Sequence, residues 1–286
     1  MAEKSAEYPD YSPQTNPPSL RKPWPRTGIM ALDLFIALSA WIALSVIVPL
    51  IFIFVRVAQE GTSVVESMQD PDQLLRLIGV EGIFAILLIQ NIIFVGVPFI
   101  RVRLIRRESL AMLGFHSEGL LRLLLIGGGM GILVLFGNAS IGYAFSQFGI
   151  EQNQAAQFPL FQGDYLGQFL FFIGAALLAP IGEEVLFRGY VFKTLQQATH
   201  HTSWGIVVAY GVSTLIFTIV HVASATEGIL ALLVPIFLMG LILAWGVHYT
   251  KSIIPSIIAH GINNGVALLA LLTCVNNPGI EGCPPM

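Results

Sequence analysis

Glu183, Glu184 and Arg188 lie inside an apolar run, Phe169 to Phe192, that otherwise reads as a membrane helix. A charge at the centre of such a helix costs roughly 2.5 to 3.5 kcal/mol on insertion scales, so three within about a turn and a half need partners or a task. On a helix Glu184 and Arg188 are four apart and can pair, while Glu183 points about 100° away from Glu184 and is free for other work. Pro180 and Gly182 precede the pair and could loosen the helix, letting a cavity or water reach Glu183. The blander reading is a helix-packing ion pair with a spare buried acid.

The four-residue spacing recurs in two later apolar runs, with Phe217 and His221 in LIFTIVHVAS and His260 and Asn264 in SIIPSIIAHGINNG. Asn263 falls on another face, and Gly261 and Gly265 allow close approach. Taken singly, each histidine or amide could be no more than a hydrogen bond between helices. Together they place a carboxylate, two imidazoles and an amide in one apolar setting. Peptide hydrolysis needs a water made nucleophilic by a base, and donors for the oxyanion that develops on the scissile carbonyl. Burial favours the neutral form of a carboxylic acid, which suits a group that accepts and returns protons near neutrality. Glu183 suits the base; His221, His260 and Asn264 suit the donors. His116, His200, His201 and His248 fall in loops or at helix ends, where surface or interfacial placement explains them.

These three patterns, Glu-Glu-x-x-x-Arg at 183–188, Phe-x-x-x-His at 217–221 and His-x-x-x-Asn at 260–264, resemble the three motifs of the CPBP family. That family contains the type II CAAX prenyl endopeptidases and the bacteriocin self-immunity and processing proteases. The resemblance runs from about Phe169 to Leu272, with all three motifs in the expected order. It implies an all-helical intramembrane endopeptidase in which Glu183 activates water assisted by His221, and His260 and Asn264 serve the oxyanion. Glu184, Arg188 and Phe217 then hold the site together. Family members have also been called metalloproteases, and Glu183, His221 and His260 are chemically an acceptable zinc set with one open position. The same residues serve a metal-free glutamate mechanism, the reading favoured here.

The elements that must position these residues are helices in a bilayer. Of the 286 residues 55% are apolar and 11% charged, against about 25% charged in a soluble domain. Apolar runs of spanning length recur at about Leu34–Val55, Ile78–Ile100, Leu123–Phe148, Phe169–Phe187, Gly205–Val222, Ile229–Val247 and Ile253–Val275. The expected fold class is all-α, a polytopic membrane bundle of seven to eight transmembrane helices. The eighth would come from the third run, where Gly127 to Gly129, Gly131, Gly137 and Asn138 could hide a break or re-entrant turn. Residues 1–27 read as a disordered cytoplasmic tail, 28–275 as the membrane domain and 276–286 as a short C-terminal tail. Arg56 to Arg76 reads as a polar external loop with room for a short amphipathic helix.

Lys4, Arg21, Lys22 and Arg26 precede the first run, and Arg101, Arg103, Arg106, Arg107 and Arg122 follow the second, which predicts a multi-pass membrane protein with a cytoplasmic N-terminus. The net charge of −3 and the lack of a large basic patch argue against nucleic acid as a partner. The arginines at 101–107 fit topology and anionic lipid headgroups. Cys274 and Cys283 flank a turn-forming Asn-Asn-Pro-Gly and can pair if that tail is outside. The final Cys-Pro-Pro-Met matches a prenylation box only superficially.

Depth raises one difficulty. At about 1.5 Å per residue from the nearest polar residue on the cytoplasmic side, Glu183 and His260 lie roughly 14 Å deep and His221 about 27 Å. They meet if part of Thr199 to Tyr210 lies at or within the interface, if helices tilt strongly, or if a span boundary is misplaced. The partners expected are the lipid bilayer and a membrane-associated peptide or protein substrate. Two competing functions are a proton-coupled transporter, disfavoured by the lack of repeated halves, and a catalytically idle scaffold, disfavoured because no motif residue is missing.

Overall fold

The computed structural model describes residues 27–61, 71–150, 158, 160–224, 228–280 and 283. The described residues are predominantly helical, and we number the long helices α1 (Thr27–Glu60), α2 (Pro71–Phe99, continued by a π turn Ile100–Ile105) and α3 (Leu120–Ser146). Helix α4 is composite: α-helical Tyr165–Phe172, π-helical Ile173–Leu178, α-helical Ala179–Glu183, π-helical Glu184–Phe192 and α-helical Lys193–Thr199. Helices α5 (Gly205–Val220), α6 (Ile229–Thr250) and α7 (Ile254–Asn276) complete the bundle, with 3₁₀ turns at Leu110–Leu113 and His221–Ser224. Among the described residues six helices are long and apolar enough to cross a membrane, and α5 is a shorter apolar one. Phe35, Phe54, Leu125, Phe136 and Ile219 stand exposed on its outside, a surface that suits lipid and not water. The protein is a polytopic helical bundle and a multi-pass membrane protein.

Helix α4 is the axis of this bundle. Its most apolar window is 56% buried, against 11 to 39% for the other long helices, and every residue from Gly182 to Phe192 is buried. Over Gly182–Phe192, where no side faces lipid, a charge has no cheap place except toward another buried group. The two π segments on either side of Ala179–Glu183 widen the helix locally, a departure that tends to accompany functional sites.

The third apolar run is one uninterrupted helix and not the broken segment its glycines suggest. Gly127 and Gly131 lie four apart on the face turned to α7, where an added Cβ would come within 2.9 Å of Ile258 and 3.0 Å of Ile262. In a bilayer, small residues at this spacing let two backbones approach and so build a contact. There are therefore seven apolar helices, and an eighth is not found among the described residues. The tail expected at 1–27 and the centre of the loop expected at 56–76 lie outside the described residues, apart from their edges.

Two contacts align the helix ends. Lys193 Nζ donates to the carbonyl of Lys251 at 3.2 Å, and the Ser252 hydroxyl donates to His116 O at 2.9 Å. At the opposite end the Asn276 and Gln168 amides are bonded to each other, at 2.8 Å and 3.2 Å. Cys274 and Cys283 form a disulfide there, which removes Cys283 from any prenylation-box reading. Arg101 is committed to Asp33 through two hydrogen bonds of 2.6 and 2.7 Å, so this arginine is a structural partner and not a lipid-facing charge. Tyr190 also donates to Asp33, which pins α1 and the end of α2 to the centre of α4.

Candidate active site

Glu183 ends the short α-helical piece of α4 and its side chain is 10% exposed. Its Oε1 accepts from Gln90 Nε2 on α2 at 2.9 Å. Its Oε2 is buried without a hydrogen-bond partner. That oxygen faces two imidazoles, His221 Nε2 at 3.8 Å and His260 Nε2 at 3.9 Å. Both gaps are too wide for a hydrogen bond, and both are of the size that one water bridges. A buried carboxylate oxygen without a partner costs about 1 to 3 kcal/mol or more, so the arrangement is not one that packing alone favours.

The two histidines are held by their other nitrogens. His221, at the start of the 3₁₀ turn that ends α5, has Nδ1 2.8 Å from the carbonyl of Phe217. A carbonyl only accepts, so Nδ1 carries the hydrogen and Nε2 of the neutral ring offers a lone pair toward Glu183. His260, one turn and a half into α7, has Nδ1 3.1 Å from Glu184 Oε1 and is 2% exposed. A carboxylate likewise only accepts, so His260 also carries its hydrogen on Nδ1.

Glu184 and Arg188 are both fully buried. Arg188 Nη1 donates to Glu184 Oε1 at 2.9 Å, and Nη2 donates to the carbonyl of Gly240 at 3.3 Å. The guanidinium carbon lies 4.0 Å from the centre of the Phe217 ring, a cation–π contact. Phe217 is 0% exposed and also packs edge-on against His260 and at a tilt against His221. One aromatic ring therefore sets the positions of three polar side chains. Gly240 was invisible in the sequence among 28 glycines, yet an added Cβ there would meet Thr214 at 2.7 Å and Arg188 at 3.2 Å.

Asn264 lies one turn beyond His260. Its Nδ2 donates to the carbonyl of Ala175, inside the first π segment of α4, at 3.0 Å, and its Oδ1 accepts from Asn263 at 3.2 Å. Asn263 in turn accepts from Asn138 of α3 at 2.8 Å. The structure thus gathers Glu183, Glu184, Arg188, Phe217, His221 and His260 into one cluster, whereas the hydrogen bonds of Asn264 run to the wall beside it. The other histidines lie elsewhere: His200 and His201 at the α4–α5 turn, His248 against Tyr210.

The depth mismatch has a plain resolution. Lys193 is not the end of α4, which runs on to Thr199 and returns through a tight turn into Gly205. Glu183 is 16 residues before Thr199, and His221 is 16 residues after Gly205, so the two arms of the hairpin reach the same level, roughly 24 Å from the turn. Lys193 and Lys251 are level with each other, and Glu183 and His260 lie ten and nine residues from them. The hairpin simply projects beyond the rest of that end.

Gln90 was missed by sequence reasoning. Its only signal was an amide pair, Gln90-Asn91, within the second apolar run.

A tetrahedral zinc ion with ligands at about 2.0 to 2.2 Å needs donor atoms roughly 3.3 Å apart. Glu183, His221 and His260 are suitable donor types, but Oε2 stands 3.8 and 3.9 Å from the two nitrogens. Among the described residues no group of three or more His, Cys, Asp or Glu side chains is disposed to hold a metal.

Residues 165–266 match the family model described as type II CAAX prenyl endopeptidase Rce1-like. The match starts at the first residue of α4 and ends two residues past Asn264, so it takes in every motif residue and leaves out Gln90. No curated protein and no solved structure matches the chain.

Proposed function

We propose, from the match of residues 165–266 to the Rce1-like type II CAAX prenyl endopeptidase family model, that the chain is an intramembrane endopeptidase in which Glu183 activates water. The observation that carries this reading is Glu183 Oε2, buried without a partner and facing His221 Nε2 and His260 Nε2 at water-bridging distance. A water there has three polar partners, enough to hold it.

In the reaction, Glu183 Oε2 takes one proton from the water as its oxygen attacks the scissile carbonyl carbon. The lone pair of His221 Nε2 orients the same water. The carbonyl becomes a tetrahedral oxyanion, and collapse of that intermediate breaks the C–N bond while Glu183 returns its proton to the leaving nitrogen. The products are a new amine and a new carboxylic acid, which keeps the second hydrogen of the water until it ionises to the carboxylate. His260 can donate to the oxyanion through Nε2 only as the imidazolium, since Nδ1 already donates to Glu184. Asn264 has one amide hydrogen left after its bond to Ala175, available to the same oxyanion. No step requires a metal.

The end that carries Arg101 to Arg107, Lys193 and Lys251 faces the cytoplasm in this reading, and the Cys274–Cys283 end faces the oxidising side. The substrate is a membrane-associated peptide or protein. Membrane peptides from cells expressing wild type or Glu183→Ala to equal levels, compared by mass spectrometry, test the proposal. Products present only with wild type support it. Identical profiles, with Glu183→Ala rescuing the phenotype of a deletion, sink it in favour of a scaffold.

A further inference from the structure

Gln90 stands outside the matched segment and outside every motif, yet it makes the one hydrogen bond that any side chain gives Glu183 among the described contacts. The amide is 7% exposed and reaches from α2 across 93 residues of sequence. It can do so because α2 and α4 nearly touch at Gly182, where an added Cβ would lie 2.8 Å from Asn91 Oδ1 and 3.1 Å from Asn91 Cα.

Resting on the peptidase reading above, we propose that Gln90 is a positioning residue that selects which oxygen of Glu183 meets the water. A carboxylate's two oxygens are equivalent until something distinguishes them, and its terminal torsion is broad. A single neutral donor on Oε1 removes that freedom. It turns Oε2 toward the two imidazoles and leaves its lone pairs uncommitted. An amide does this without adding charge, whereas a lysine or arginine in its place would neutralise the base it holds. Misplacing a reacting atom by about an ångström costs up to a hundredfold in rate.

The test is Gln90→Met, which keeps the length and volume of the side chain and removes the donor. Gln90→Asn serves as a second variant, in which the amide is kept but falls one methylene short. Difference infrared spectra of purified protein in bilayer discs, wild type minus Glu183→Gln, isolate the carboxylate bands of Glu183. We expect the same difference taken in either Gln90 background to show shifted bands. We expect kcat to fall about tenfold to a hundredfold with KM within about twofold. Superimposable Glu183 bands in both variants, or an unchanged kcat in both, overturn the proposal. If wild type and Glu183→Gln cleave alike, the peptidase reading falls, and the infrared comparison still decides whether Gln90 fixes Glu183.

Discussion

His221 Nε2 and Glu183 Oε2 face each other across 3.8 Å, with the imidazole locked from behind by a hydrogen bond to the carbonyl of Phe217. That bond is local to one turn, and the His221 side chain is 22% exposed. Replacing His221 by alanine is therefore expected to lower kcat by about 10² to 10⁴ while leaving the melting temperature close to wild type. Paired assays of cleavage and thermal unfolding check this. A loss of stability as large as that of an Arg188 variant would make His221 structural.

Glu184 and Arg188 are expected to behave in the opposite way. Both are fully buried, so removing either breaks the ion pair and leaves the other's charge in the core, at a cost of about 3 to 5 kcal/mol. Arg188→Met and Glu184→Gln should each unfold far more readily in detergent. The double variant should lose less than the sum of the two, because the second change removes the charge the first exposed.

Gly240→Ala tests how closely the arginine is confined. The new methyl meets Thr214 and Arg188, and overpacking of this kind costs about 1 to 3 kcal/mol. Gly128→Ala is the control, since an added Cβ there has nothing within 4 Å. Unfolding measurements should separate the two substitutions, with Gly128→Ala at or above wild-type stability.

Much of the site was legible in the sequence, because charges inside a membrane helix have no cheap alternative explanation. Glu183, Glu184 and Arg188 were singled out on that ground, His221 and His260 by their combination with them, and the structure brings the five side chains close together. The span from Phe169 to Phe187 was drawn too short, ending before Lys193. In the fold its ammonium is bonded to the Lys251 carbonyl and the helix continues to Thr199. The glycines of α3 read as breakers, as they would be in water, and act as the groove for α7. Gln90 and Asp33 stayed hidden for a common reason: each is a single polar group whose partners, Glu183, Arg101 and Tyr190, are far away in sequence and become apparent only once the helices pack.

Metal content is open to direct measurement. Because the proposed steps use only Glu183, His221, His260 and Asn264, chelation followed by dialysis is expected to leave the cleavage rate unchanged. Elemental analysis of the purified protein should find well under one zinc per chain. One zinc per chain that is lost in His221→Ala would contradict the metal-free reading.

Sidedness can be read from the disulfide. A membrane-impermeant maleimide applied to intact cells should label Cys274 and Cys283 only after a reducing agent is added. Labelling that requires broken cells would reverse the orientation.

If Glu183 makes a water attack a peptide bond, isotopic labelling records that water in the product. Wild type and Glu183→Gln, reconstituted in bilayers with a membrane peptide identified as a product source, are incubated in water enriched in ¹⁸O. One ¹⁸O is expected in the new C-terminal carboxylate with wild type, and no product with Glu183→Gln. Equal ¹⁸O-labelled product from both proteins would contradict it.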